Sequence, residues 1–424
     1  MKKIVSAVAM AALAASLATA EVAVTMNGRI RPYLFSTSIV DDGTDKKTTN
    51  TWMDMDGLGG FEDSIKFAFT SADGDAGLTF QTNVKAGPSS SKNGAFLTLN
   101  TFNVWTNVFG SQFKIGAGSW KDGLADGAYR VKKDVDAQNG EGIFFEAYKL
   151  GSAFKGSPSM FVDDIANQAG GSNSLAAFAE YPFKLGDVRV KLTAVAIDGD
   201  FDTVTDEDTT NKYAASWNAR AQINLPKVFD SEIIFKKPAT NINVIAFYAK
   251  PKMLPAVLDA TVGGSYVMAS GGNEKWNGTW DVDLRVRYDF SEQVKGLSLT
   301  YFGKLSSKDS DNTAQINKGI VGLAGKSGLG ASVTDVNMLL WNNLSARYVI
   351  NDKVAAILNV GLMNALKVDE GAKEYGINYN VTPGVQVFCS KAASLYAGVS
   401  INGCSKDKAS ELNVSVPAVF RVKL

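Results

Sequence analysis

Along TWDVDLRVRYDF, apolar and polar residues alternate without a fault. Trp280, Val282, Leu284, Val286, Tyr288 and Phe290 share one parity, and Thr279, Asp281, Asp283, Arg285, Arg287 and Asp289 share the other. A period of two is the side-chain period of a β-strand, and a helix cannot keep these sets on separate faces. The apolar set is also ordered, with aromatics at both ends and aliphatics between. Trp280 to Phe290 spans roughly 33 Å along a strand, or ~24 Å along the normal at ~45° tilt, which matches an apolar membrane band of ~25 Å between aromatic girdles.

The pattern recurs along the chain. In EVAVTMNGRIRPYLF, Val22, Val24, Met26, Ile30 and Leu34 oppose Glu21, Thr25, Asn27, Arg29 and Arg31. VRVKLTAVAI sets Val188, Val190, Leu192, Ala194 and Ala196 against Arg189, Lys191 and Thr193, and YAASWNARAQI sets Trp217, Ala219, Ala221 and Ile223 against Asn218, Arg220 and Gln222. In NLSARYVI, Leu344, Ala346, Tyr348 and Ile350 oppose Asn343, Ser345 and Arg347, and SLYAGVSIN repeats the scheme. LTLNTFNVWTNV changes parity near Asn100–Phe102, which predicts a β-bulge there. Ser159–Asp163 and Glu232–Lys237 are short, weaker strand candidates. Pro32 in the first strand and Pro417 in the last both lack an N–H, which predicts a local break where those strands meet.

Short turns at 72–77, 109–111, 185–187, 291–296, 351–353 and 390–393 alternate with longer polar connections at about Ser36–Gly60, Gly118–Gly140, Asp198–Asn211, Ser306–Asp335 and Ala365–Lys373. This alternation predicts an all-β fold: a closed antiparallel up-and-down transmembrane barrel of 16–20 strands, with short periplasmic turns and long external loops. The strand number is even because both termini belong on the short-turn side, and closure removes exposed sheet edges.

MKKIVSAVAMAALAASLATA carries Lys2 and Lys3, an apolar stretch and Ala18-Thr19-Ala20, the pattern of a cleaved secretory signal over residues 1–20. Its removal takes two of 43 basic residues against 43 acidic ones, leaving a net charge of −2 that points to no nucleic-acid partner. No Pro/Ser-rich linker divides 21–424, which reads as one domain. Cys389 and Cys404 sit at opposite ends of a hairpin strand, beyond disulfide reach, so two free thiols are expected. The sequence holds no histidine. That removes the usual general base and the commonest metal ligand, so no enzyme, metal or cofactor is expected.

The signal peptide, the turn–loop alternation and the terminal strand ELNVSVPAVFRVKL together resemble bacterial outer-membrane porins over the whole mature length. In that last strand Leu412, Val414, Val416, Ala418, Phe420, Val422 and Leu424 alternate to the final residue. The family usually ends in Phe or Trp, and Leu424 fits a divergent member such as a spirochaete sheath-type porin. The resemblance implies an outer-membrane porin, a water-filled channel for passive diffusion of ions and small hydrophilic solutes. Its partners would be outer-membrane lipid and those solutes, with a homo-oligomer, commonly a trimer, implied by the family.

The residues support water inside independently, because unpaired charges facing a dry interior would be very costly. Candidate pore-lining residues are Arg29, Arg31, Arg189, Lys191, Arg220, Asp281, Asp283, Arg285, Arg287, Asp289, Arg347 and Arg421. Candidate lipid-interface aromatics are Trp217, Trp280, Tyr288, Phe290 and Tyr348. Ser119–Gly142 is third among the long loops, the one that folds into the lumen in general porins. Lys121, Asp122, Asp126, Arg130, Lys132 and Lys133 are its candidate constriction residues. Asp198–Thr210 begins like a calcium loop but lacks the sixth-position glycine and twelfth-position glutamate. Gly319–Gly328 contains Gly325-Lys326-Ser327 without the first glycine of a phosphate-binding loop. The competing reading is an outer-membrane adhesin or structural sheath protein whose external loops bind host ligands.

Overall fold

The computed structural model describes residues 21–30, 32–41, 43–54, 61–85, 96–119, 175–197, 216–239, 242–270, 277–278, 280–307, 336–368, 378–406 and 409–424. The expected signal segment, the constriction candidates, Ser159–Asp163 and the calcium-like and phosphate-loop-like stretches lie outside the described residues.

β1 (Glu21–Ile30) and β2 (Tyr33–Asp41) form one stave interrupted at residues 31 and 32. β3 (Lys46–Asp54) and β4 (Phe61–Thr70) form the next, pairing with β2 and β1 respectively. β5 (Ala76–Lys85), β6 (Phe96–Asn107), β7 (Lys114–Ser119), β8 (Leu175–Leu185) and β9 (Val188–Ile197) follow as antiparallel neighbours. So do β10 (Ser216–Leu225), β11 (Phe229–Ala239), β12 (Ile242–Pro251), β13 (Leu258–Ala269) and β14 (Trp280–Asp289). The ladder continues through β15 (Leu297–Ser307), β16 (Val336–Asn351), β17 (Val354–Val368) and β18 (Asn378–Phe388). β19 (Ala393–Gly398) and β20 (Ser400–Lys406) are one stave broken at Val399, lying between β18 and β21 (Ala409–Lys423). β21 then pairs with β1 and β2 and closes the sheet into a barrel of 18 staves. That settles the strand number within the expected range. Glu232–Lys237 is a full part of β11.

Burial follows the sequence alternation, turned inside out. Val24, Leu192, Leu284, Leu344 and Leu358 project outward and are 40–50% exposed, while their polar neighbours Thr193, Arg285, Ser345 and Asn359 face inward and are buried. Ten residues at ~3.3 Å and ~45° rise about 23 Å, so the commonest strand length here spans an apolar bilayer core. One polar pair on the outer face is internally satisfied: Tyr301 Oη donates to Asn342 Oδ1 at 2.6 Å. On the inner face the Tyr396 ring lies over Gly384 and Gly398, where an added Cβ would stand 2.4 and 2.6 Å from Tyr396 Oη.

The closing seam breaks where the two prolines meet. Register is constant from Asn27↔Lys423 to Tyr33↔Pro417 and then shifts by one, Phe35 pairing with Val416. Leu34 is the extra residue. Beyond it the outward parity passes to Phe35, Thr37 and Ile39, opposite Val416, Val414 and Leu412. Pairing survives the break, since Ala418 N donates to the Pro32 carbonyl at 3.1 Å. The bulge expected near Asn100–Phe102 is also present: Gln81 pairs with Thr101 and Thr82 with Leu99, leaving Asn100 over.

Residues 36–60, expected as a polar loop, contain a β-hairpin instead. β2 and β3 pair from Tyr33↔Asp54 to Asp41↔Lys46, with the Phe35 and Trp52 rings 4.6 Å apart. Likewise β17 runs to Val368, past the expected loop start at Ala365. Glu21 and Leu424 lie at one rim, where Met26 and Leu424 exchange N–H···O bonds of 2.8 Å. The same rim holds the turns 71–75, 186–187, 226–228, 290–296, 352–353 and 389–392. Gly186 takes φ +60° in the two-residue turn between β8 and β9. In the first of these turns the Ser71 hydroxyl, and then the Asp75 N–H, hold the Asp73 carboxyl below its ordinary range. Cys389 is an exposed free thiol at this rim. Cys404 lies at the other end of the stave, opposite Asn378.

Candidate functional site

Antiparallel register converts alternation into rows of side chains that run around the inner face. One row is Lys184, Arg189, Asn224, Asp230 and Lys250, each opposite the next across β8 to β12. Two residues along each strand lies Pro182, Lys191, Gln222, Glu232 and Tyr248, and beyond it Lys114, Glu180, Thr193, Arg220, Ile234 and Ala246. Every such neighbour pair brings Cβ atoms to about 5 Å, so charge pairing follows from register.

The pairs form a lattice. Glu180 Oε1 stands 3.3 Å from Lys191 Nζ and accepts from Thr193 Oγ1 at 3.4 Å. Glu232, 1% exposed, accepts from Gln222 Nε2 at 2.8 Å and lies 3.6 Å from Arg220 Nη1. Asp230 faces Lys252 Nζ at 2.7 Å and accepts from Asn224 Nδ2. Asp259 lies between Lys250 at 3.4 Å and Arg285 at 2.7 Å, and Arg285 is fully buried, its Nε reaching Thr261 Oγ1 at 3.4 Å. Arg287 and Asp289, two residues apart on β14, are 3.9 Å apart.

Cations on this face outnumber the acids that hold them. Arg347 has no carboxylate within ion-pair distance among the described residues, and its guanidinium lies 5.8 Å from the Phe388 ring centre. Lys114 Nζ sits 4.0 Å over the Trp105 ring. Arg421 Nε donates to Asn27 Oδ1 at 3.2 Å. Arg189 is exposed and directly opposite Lys184.

Of the residues expected to line the interior, Lys191, Arg220, Arg285, Arg287 and Asp289 are therefore gathered on β9 to β14, with Arg189 at the rim and Arg347 and Arg421 further round the wall. Arg29 is placed by register alone, opposite Arg421 and Glu62, as are Asp281 opposite Ser265 and Asp283 opposite Gly263. Arg31 and the six loop candidates Lys121, Asp122, Asp126, Arg130, Lys132 and Lys133 lie outside the described residues. Sequence reasoning missed Glu180, Glu232, Asp259 and Lys250. Their signal was the parity they share with the basic residues, but only register shows which cation each acid meets.

The outer face has aromatics towards both rims. Trp217 is 40% exposed near the rim away from Leu424, its ring 5.2 Å from Phe235, and Trp280 stands opposite Tyr266 at the same rim. Tyr288 and Phe290, with rings 4.4 Å apart, and Tyr348, opposite Leu297, lie at the rim of the short turns. Tyr266, Tyr181 and Phe113 extend the two bands and were not anticipated.

No protein-family model matches the chain, and no curated protein matches it. Solved structures do. The chain is similar to Pseudomonas aeruginosa OpdL, with 7% identity, TM-score 0.54, and 95% of this chain covering 99% of that one. It is similar to OccK9 (OpdG) of the same organism at 9% identity and TM-score 0.54, again with 95% and 99% covered. The outer membrane protein OpdK of Pseudomonas aeruginosa aligns at 9% identity and TM-score 0.51, with 95% and 99% covered. At these identities the shared property is the fold, a large closed antiparallel barrel.

Proposed function

We propose that the chain is a bacterial outer-membrane porin, a water-filled channel for passive diffusion of ions and small hydrophilic solutes. The observation that carries this reading is the inverted wall. Large aliphatic side chains cover the outside between two bands of aromatics, while charged and amide side chains cover the inside. Such an exterior is stable only against lipid, and a closed barrel is the only sheet a bilayer accepts, because every backbone group is paired. The barrel fold shared with the outer membrane protein OpdK supports the same location.

In this reading the rim with both termini and the short turns is periplasmic, and the longer connections are external. The basic residues Arg29, Arg31, Arg189, Lys191, Arg220, Arg285, Arg287, Arg347 and Arg421, with Asp281, Asp283 and Asp289, line the lumen. The surplus of cations on the described inner face favours anions. Trp217, Trp280, Tyr288, Phe290 and Tyr348 sit at the lipid interfaces. The third long loop, Ser119–Gly142, is the segment to narrow the lumen, with Lys121, Asp122, Asp126, Arg130, Lys132 and Lys133 as its charged residues. The barrel assembles as a homo-oligomer, the trimer being the family's common form. The chemistry is passage rather than catalysis.

Solute release tests the reading. Vesicles carrying refolded, heat-modifiable protein should leak small uncharged sugars at rates that fall with sugar size. Vesicles that retain the smallest sugar despite fully folded protein would exclude an open channel.

A further inference from the structure

Lys184 and Arg189 are direct cross-strand neighbours where β8 and β9 leave their two-residue turn. Like charges placed opposite each other on one face repel, and such a pair persists where something negative is to be met or water screens it. Neither side chain has a carboxylate within ion-pair distance among the described residues, and Asp187 in the turn between them pairs with neither. Lys191 stands two residues further along the same inner face. These three cations line a recess of about 360 Å³ together with Gln222 and Asn224.

The acids that share the recess are already occupied. Asp230 is held by Lys252 and Asn224, and Glu232 by Gln222 and Arg220, while Glu180, outside the recess lining, is held by Lys191 and Thr193. Arg189 and Lys184 are the two charges left unmatched. A guanidinium supplies a planar fork of donors and an ammonium a compact charge beside it, the combination that suits a carboxylate or phosphate oxygen pair better than a spherical halide.

We propose that this recess is an oxyanion-binding subsite at the short-turn mouth of the channel, built on Lys184 and Arg189 with Lys191 as the third cation. It rests on the diffusion-channel reading and adds a ligand class and a place. Anionic solutes pause here, so the mouth concentrates them relative to chloride.

The test uses single channels of the full protein in a planar bilayer in potassium chloride, with inorganic phosphate added in one series and acetate in another. Chloride current should fall saturably with at least one of the two probes, and the series that acts identifies the oxyanion. Lys184→Gln with Arg189→Gln should raise the half-inhibiting concentration on the order of tenfold or more, the fold-change of losing one charge-assisted hydrogen bond. Lys295→Gln with Lys391→Gln removes the same charge from exposed turns at the same rim and should change it less than about twofold. Chloride current that neither probe inhibits saturably, or an equal loss in both double variants, overturns the subsite while leaving the channel intact. Folded protein that conducts no chloride at all overturns the channel reading and the subsite with it.

Discussion

Leu284→Arg puts a charge on the outer face one residue from a native arginine, and the barrel should distinguish the two positions sharply. Leu284 is 40% exposed on the outside of β14, four residues from both Trp280 and Tyr288. At ~3.3 Å per residue and ~45° tilt it lies about 9 Å along the normal from each ring, close to the middle of the apolar band. A lipid-facing arginine at that depth costs roughly 2–4 kcal/mol. That is on the order of 30- to 700-fold in the folding equilibrium. Arg285, next along the strand, escapes this cost because it points inward to Asp259 at 2.7 Å. Thr79→Arg is the control, an inner-face position opposite Asn103 and Ala68, and should shift stability by about 0.5 kcal/mol or less. The assay is urea titration of protein folded into lipid vesicles, read by heat-shifted gel mobility. Equal midpoints for the two variants, or an unshifted Leu284→Arg, would refute the assignment of faces.

Three further outcomes can be checked with similar tools. Glu232→Ala removes the carboxylate that accepts from Gln222 and faces Arg220 on the buried inner wall and should cost about 3–5 kcal/mol, whereas Glu232→Gln keeps a partner for Gln222 and should cost about 1–3 kcal/mol, both read as urea midpoints. Deleting Leu34 removes the extra residue at the seam, so Phe35 follows Tyr33 directly and keeps its outward place opposite Val416, and the folded yield in vesicles should hold; deleting Ser36 instead turns Thr37 and Ile39 inward and, at about 1.5–3 kcal/mol for a displaced apolar side chain, should lower that yield. In a Cys404→Ser background, Cys389 should react with an impermeant, bulky maleimide only after the outer membrane is permeabilised. Labelling of intact cells would place the short turns outside.

The parts of this fold that were legible in the sequence are those where lipid imposes a rule. Between Trp280 and Phe290 every outward residue must be apolar, so strand, face and girdle could be read together. Defects were legible for the same reason: the parity slip marked the Asn100 bulge, and the missing N–H groups of Pro32 and Pro417 marked the seam. Outside the apolar band the rule lapses. KKTTNTWMD has no greasy face to betray it, so β3 read as loop although it pairs with β2 along its whole length. The inner wall was half legible. Parity assigned Arg220 and Arg285 to the inside, but their partners Glu232 and Asp259 depend on register, which is set by turn geometry across neighbouring strands rather than by any one segment.

Single-channel recording in a planar bilayer under a potassium chloride gradient tests the central claim most directly. Discrete ohmic conductance steps are expected from the refolded, heat-modifiable protein, with a reversal potential displaced towards that of chloride by the cation surplus of the inner face. Membranes that stay silent with folded protein inserted would contradict it.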